Sequence, residues 1–186
     1  MDNLSKTLSS ALRLLRSQRG WSLDAASQKT GVSKAMLGQI ERGESSPTIA
    51  SLWKIAKGFD VSFSSLIEDL NLSQASIPRK EGFRQIHKSE GAIRIMPLFL
   101  YDKDFGFEVF IIELLPGCEH ISEAHQAGVV EHVIVSSGRI ELGLHGIWHS
   151  IGAYEGFAFK ADQPHIYRNS SSMKAIFQNI IHYPKP

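Results

Sequence analysis

The apolar residues of this chain change period partway along it, and neither a helical bundle nor a sheet accommodates both halves. Leu4, Leu8, Leu12 and Leu15 recur at spacings of four, four and three, one stripe of an amphipathic helix, and helical spacing persists to about residue 70. Beyond Gly91 the apolar residues come in short runs rich in Phe, Ile and Val, divided by turn residues roughly every ten positions, the spacing of a β-sandwich or barrel. Residues 71–91 are polar and non-periodic and read as a linker with at most one short strand. The expected architecture is an all-α headpiece of about five helices in residues 1–70, then an all-β domain in residues 92–186.

Local signals divide the halves further. The first helix should end at Gly20, just past Arg16 and Arg19, because basic side chains complement a helix C-terminus. Ser22 is a natural cap for a second helix stopping at Thr30-Gly31, and Ser33 caps a third from Lys34 to Glu41. Ser46-Pro47 places proline at the first position of a fourth helix carrying Ile49, Leu52, Trp53, Ile55 and Ala56. A short fifth helix is expected from Ser64 to Leu70. In the β half the expected strands are Ile93–Tyr101, Phe107–Leu115, Glu131–Val135, Ile140–Leu144, Gly156–Lys160, His165–Tyr167 and Ala175–Tyr183. Ser136–Arg139 and Asn169–Ser172 read as hairpin turns.

Net charge is only +1, which argues against nucleic acid until its distribution is considered. Residues 4–58 carry nine Lys and Arg against three Asp and Glu, and all eight histidines lie beyond residue 86. A basic, histidine-free front and a neutral, histidine-bearing back imply two kinds of work. No run of 18 uncharged apolar residues exists, so no membrane partner is expected. The start, Met-Asp-Asn-Leu-Ser-Lys, lacks the apolar core of a signal peptide, and the one cysteine, Cys118, fits a reducing compartment. Both point to the cytoplasm. Cys118, in a Pro-Gly turn, is expected to be a bystander.

The second and third helices, joined by Thr30-Gly31-Val32, make the pattern of a helix-turn-helix: glycine permits the left-handed backbone and valine plugs the angle between helices. Leu37 and Ile40 point inward, leaving Lys34, Ala35, Gly38, Gln39 and Arg42 on the opposite face. Gln can bond an adenine edge, Lys can reach guanine acceptors and Ala can touch a thymine methyl. The other reading of such a run is a small helical docking domain whose charges keep it soluble.

Gly31-Val-Ser-Lys-Ala-Met-Leu-Gly-Gln-Ile-Glu-Arg-Gly43, followed by Ser46-Pro-Thr-Ile-Ala-Ser-Leu-Trp-Lys-Ile-Ala56, resembles the phage-repressor-like (Cro/C1, or XRE) DNA-binding domain over about residues 4–70. The resemblance implies that Lys34, Ala35 and Gln39 meet bases, that Ser22, Leu23 and the loop Arg42-Gly43-Glu44 face phosphates, and that Ser33 also lies at the DNA. Where the family usually has Leu-Ala in its second helix, this chain has Ala26-Ser27, which should loosen the small core there.

Pro116-Gly-Cys-Glu-His-Ile-Ser-Glu-Ala-His125, continuing through Glu131-His132 to Gly138, resembles the first cupin motif, and Gly156 to His165-Ile-Tyr-Arg-Asn169 the second. The resemblance implies a double-stranded β-helix, or jelly roll, with a metal inside it. His125 falls on the first histidine position, Glu131 on the glutamate and His165 on the last histidine; Ala127 stands where a second histidine is usual, and Lys160 and Asp162 where proline and glycine are. Two imidazoles and one carboxylate suffice for one divalent metal with open positions, zinc before iron. A metal-free barrel, with these side chains bonding each other or an effector, is equally consistent. Strand parity sets His132 on the face opposite Glu131, and Tyr167 on that of His165, where it either touches an effector or is a plain core tyrosine. His120, His145 and His149 fall near expected loops and read as solvated surface.

A headpiece and cupin in this order resemble the short bacterial one-component transcription regulators, those of sulfur utilisation most. The resemblance implies a homodimer on a near-palindromic DNA operator, with a small-molecule effector such as a sulfur-containing amino acid in the cupin pocket. The strand around Ile93–Phe99 is the candidate pairing surface. The rival reading is a cupin enzyme, a thiol dioxygenase or isomerase, carrying a DNA-binding appendage.

Overall fold

The computed structural model describes residues 3–67 and 92–184, which form two compact units. The expected linker, residues 71–91, and the end of the expected fifth helix, residues 68–70, lie outside the described residues. No helix among those described is long and apolar enough to cross a membrane.

Among the described residues the first unit has five helices: α1 (Asn3–Gln18), α2 (Leu23–Thr30), α3 (Lys34–Glu41), α4 (Ile49–Phe59) and α5 (Ser64–Ile67). The serine caps form as expected, Ser22 accepting from the Ala25 N–H and Ser33 from the Met36 N–H. Gly31, at φ 69°, makes the left-handed turn between α2 and α3, and Val32 is buried beneath it. The fourth helix starts later than the proline suggested. Thr48 is its cap, accepting from the Ser51 N–H, and Pro47 precedes it, because the threonine hydroxyl satisfies a donor that proline cannot. Leu8, Leu12, Ala26, Leu37, Ile40, Leu52, Ile55 and Phe59 fill the core.

The expected loosening at Ala26 does not occur. Ala26 is fully buried, and α4 approaches α2 through Gly58, where a Cβ would stand 2.6 Å from Thr30 Cα. Small residues on both helices let the backbones close the space that a leucine side chain would fill.

The second unit is all β, with nine strands among the described residues: β1 (Ile93–Asp102), β2 (Phe107–Leu114), β3 (Glu119–Ser122), β4 (Val130–Ser137), β5 (Arg139–Leu144), β6 (Ile147–Gly152), β7 (Gly156–Lys160), β8 (His165–Arg168) and β9 (Ala175–His182). They form two antiparallel sheets, β1-β2-β9-β4-β7 and β3-β8-β5-β6, whose inner faces meet where Tyr167 stacks on Phe177 with ring centroids 5.3 Å apart. Among the described strands β1 is an edge, and it carries Pro97 beside an irregularity in its register, as edge strands tolerate.

Neither expected hairpin turn joins paired strands. Ser136–Arg139 carries the chain from β4 in one sheet to β5 in the other, and Asn169–Ser172 carries it back from β8 to β9. The two corners pack together: a Cβ on Gly138 would lie 2.7 Å from the Lys174 carbonyl oxygen, and buried Asn169 ties its corner down by donating to the carbonyls of Leu114 and Met173. Two strands, β3 and β6, escape the expected pattern for physical reasons. In β3 apolar Ile121 is exposed, along with Glu119, while His120 and Ser122 face inward, an inverted polarity. In β6 Trp148 lies outside, flat against Gly143, whose missing side chain makes room for the indole.

Candidate functional site

On the headpiece, the turn at Gly31 projects α3 so that Ser33, Lys34, Ala35, Gln39 and Arg42 are all exposed together. Gly38 does not join them: it is buried under the Arg42 guanidinium and the Leu23 side chain. Leu23 is accordingly half-buried against α3, whereas Ser22 is exposed at the α2 N-terminus. Gly43, at φ 71°, turns the chain past Arg42.

Much of the basic surplus serves this scaffold. Arg16 grips buried Glu41, at the end of α3, with Nε 2.6 Å from Oε1 and Nη2 2.9 Å from Oε2. Ser9 and Arg13 donate to the Glu41 carbonyl at 2.5 and 2.8 Å. Three side chains of α1 thus fix the last turn of the exposed helix, satisfying a C-terminal carbonyl and a buried carboxylate together. Arg19 does the same for the Phe59 carbonyl at the end of α4.

In the β unit, three chain segments bring His125, Glu131, His165 and Tyr167 together. His125 follows β3 and is held by its own backbone N–H donating to the Ala161 carbonyl. Glu131 stands on β4, His165 and Tyr167 on β8, and all four are buried. Glu131 Oε1 accepts from His125 Nε2 at 2.6 Å, while Oε2 accepts from the Tyr167 hydroxyl at 2.5 Å and from Asn179 Nδ2 at 2.8 Å. Burial would raise the Glu131 carboxyl, but His165, His125 and Tyr167 overcome it and hold Glu131 at about 2. Tyr167 is pushed well above its ordinary range by burial and by Glu131, so it remains a donor.

His165 is oriented from outside the cluster. Its Nδ1 lies 3.0 Å from the Gln163 carbonyl, an acceptor only, so Nδ1 carries the proton and Nε2 presents a bare lone pair. Burial lowers its pKa against the pull of Glu131, which keeps the ring neutral. Nε2 stands 3.6 Å from Glu131 Oε1 and has no hydrogen-bond partner, although it is sealed from solvent. An orphaned buried acceptor is costly, and a cation would satisfy it. One donor atom from each of His125, Glu131 and His165 lies within 4.8 Å of the others. With Glu131 held through its far oxygen and His165 through its far nitrogen, as outer partners hold metal ligands, the set fits a divalent metal.

His120 is a correction. Strand β3 turns it inward, leaving it 9% exposed, opposite Tyr167 in register. Burial first, then the field of His165, lowers it to about 4, so it faces the cluster as a neutral imidazole at neutral pH. Asn179 was also missed, although it occupies an inward position between Phe177 and Ile181, where a polar residue is a readable anomaly. Ala127, where the family has its second histidine, is exposed in a turn. His132 faces outward as its parity requires, His145 is exposed at the β5–β6 turn, and His149 is half-buried against Phe157. Cys118 is buried.

Residues 12–66 match a helix-turn-helix family model. The chain is 44% identical over 185 residues to the HTH-type transcriptional regulator SutR of Escherichia coli K12, covering all of this chain and 99% of that one. It is similar to a solved HTH_3 family transcriptional regulator from Vibrio cholerae, at 43% identity, 97% coverage of both chains and a TM-score of 0.85. It is also 44% identical to the solved Cupin_2 domain of an XRE family transcriptional regulator from Enterobacter cloacae, over 50% of this chain and 98% of that one, with a TM-score of 0.49. The chain belongs to the family of helix-turn-helix transcriptional regulators, with a DNA-binding headpiece and a β unit whose two antiparallel sheets have the architecture expected of a cupin.

Proposed function

We propose that this regulator is a one-component sensor: the headpiece binds an operator, and occupancy of the cupin interior alters that binding. The observation that carries the reading is the sealed, unpartnered Nε2 of His165 beside ionised Glu131 and His125. His125, Glu131 and His165 would hold one divalent metal, with zinc preferred, because two nitrogens and an oxygen leave a tetrahedral position for water or effector. Bound there, the metal supplies a Lewis-acidic point for the effector to complete. A small sulfur-containing amino acid suits that position through its amine, carboxylate or sulfur, and Tyr167 and His120 flank the same interior.

On the DNA side, Lys34, Ala35 and Gln39 read bases, while Ser22, Ser33, Arg42 and Gly43 track the backbone. Leu23 packs against Gly38 and so contributes to the scaffold more than to contact. A single headpiece reads few base pairs, so the working form is a cytoplasmic homodimer with half-sites about 34 Å apart. The edge position of β1, with Phe99 exposed, supports pairing through Ile93–Phe99.

Native mass spectrometry of the chain purified from its own host tests the assignment. A dimer with one metal per chain and an additional small molecule is expected; a monomer carrying neither would overturn it. The two-histidine, one-carboxylate set also serves non-haem metal enzymes. Turnover of cysteine by the metal-loaded protein would establish that reading in place of the sensor.

A further inference from the structure

The two cations at the ends of the exposed helix are occupied by the protein itself. Lys34 Nζ lies 2.7 Å from Asp24 Oδ2 on α2, and Arg42 Nη2 lies 2.7 Å from Glu44 Oε2. The Arg42 guanidinium is laid back over Gly38, where a Cβ would come within 3.2 Å of Nη1, and does not extend from the helix. These pairs do not hold the headpiece together. That work is done by Arg16, Arg13 and Ser9 on Glu41, and by Arg19 on Phe59. The side chains of Lys34, Asp24, Arg42 and Glu44 are all more than half exposed, so both pairs are solvated and contribute little to stability.

Their position gives them another effect. A duplex seated on α3 presents phosphate or base oxygens to Lys34 and Arg42, and each cation must leave a carboxylate to meet them. Asp24 and Glu44, released, stay at the interface as negative charges facing a polyanion. Ala35 and Gln39 carry no charge and take part in no such exchange, so contacts through them are gained in full.

We propose that Asp24 and Glu44 are internal stand-ins for the DNA oxygens, holding Lys34 and Arg42 until DNA displaces them and so lowering affinity for random duplex. The proposal rests on the DNA-reading role assigned to α3. An exposed pair of this kind accounts for about a two- to five-fold effect on affinity.

A double-mutant cycle on the full chain tests it, read by fluorescence anisotropy on a random-sequence duplex at low salt. Asp24→Asn should tighten binding about two- to five-fold with Lys34 present and distinctly less in a Lys34→Ala background, where only the general repulsion of Asp24 remains. Glu44→Gln should behave in the same way with and without Arg42→Ala. Equal tightening in both backgrounds would mean that the carboxylates act only by general repulsion, and would overturn the exchange. No tightening with the cations present overturns it as well. A parent chain that fails to bind random duplex at low salt would instead remove the DNA-reading role of α3, on which the proposal stands.

Discussion

The two units place their functional charges differently. In the headpiece the cations lie at helix ends and on the surface, and the buried carboxylate, Glu41, is neutralised by Arg16 from a neighbouring helix. In the β unit buried Glu113 is likewise met by Arg94 and Lys174, but a second carboxylate, three imidazoles and a phenol are gathered inside with no buried Lys or Arg beside them among the described residues. The first arrangement leaves the functional face outside and rigidly held. The second places functional groups where an unmet hydrogen bond is costly, so that an occupant changes the balance of the whole interior. A surface face is suited to reading a large polyanion, and a sealed polar interior to sensing something small.

Replacing the central carboxylate should have the largest effect. Glu131→Ala leaves His125, Tyr167 and Asn179 without their shared partner and should cost the β unit about 3–5 kcal/mol. Hydrogen exchange resolved by residue should show this loss in β4, β8 and β9 while amides of α1 to α4 keep their protection. Equal loosening in both units would break the contrast drawn above.

Acid should separate the units next. His120, facing His125, Glu131 and His165, has a folded pKa of about 4 against an ordinary 6.5, so the unfolded chain takes up the proton first. The metal-free β unit is then fully stabilised by neutral His120 above pH 6.5 and loses about 3 kcal/mol as pH falls to 4. The headpiece has no histidine and should be flat from pH 6.5 to 5. The same hydrogen-exchange experiment across that range checks both slopes.

The headpiece was more legible in the sequence than the β unit. Its caps, its turn glycine and its stripe are local signals, separated by three or four residues, and Ser22, Gly31 and Ser33 act where they were expected. What sequence could not show there was the use of Arg13 and Arg16, since their partner Glu41 lies 28 and 25 residues away. In the β unit, His125, Glu131, His165 and Tyr167 were found through motif position and strand parity. His120 and Asn179 were not, because β3 inverts the usual polarity and the β4–β9 pairing that brings Asn179 to Glu131 joins residues 48 positions apart. Alternation reveals a face, but topology decides which faces meet.

Smaller effects sharpen the DNA side of the contrast. Gln39→Ala should cost about 1–3 kcal/mol at particular base pairs of the operator and little on random duplex. Equal losses on both would defeat its base-reading role. Arg42→Ala should weaken all sequences alike and reduce the slope of binding against salt by about one, as the loss of one phosphate contact does.

The claim that joins the units is that the cupin interior is read out at the DNA. The direct measurement is the ratio of duplex affinities with and without zinc, at matched ionic strength, for the parent chain and for His165→Ala, with bound zinc counted by mass spectrometry in each. The account predicts one zinc per chain and a ratio different from one in the parent, and a ratio of one in His165→Ala because its Nε2 is the lone pair awaiting a cation. A His165→Ala chain that takes up zinc and shifts its DNA affinity as the parent does would contradict it.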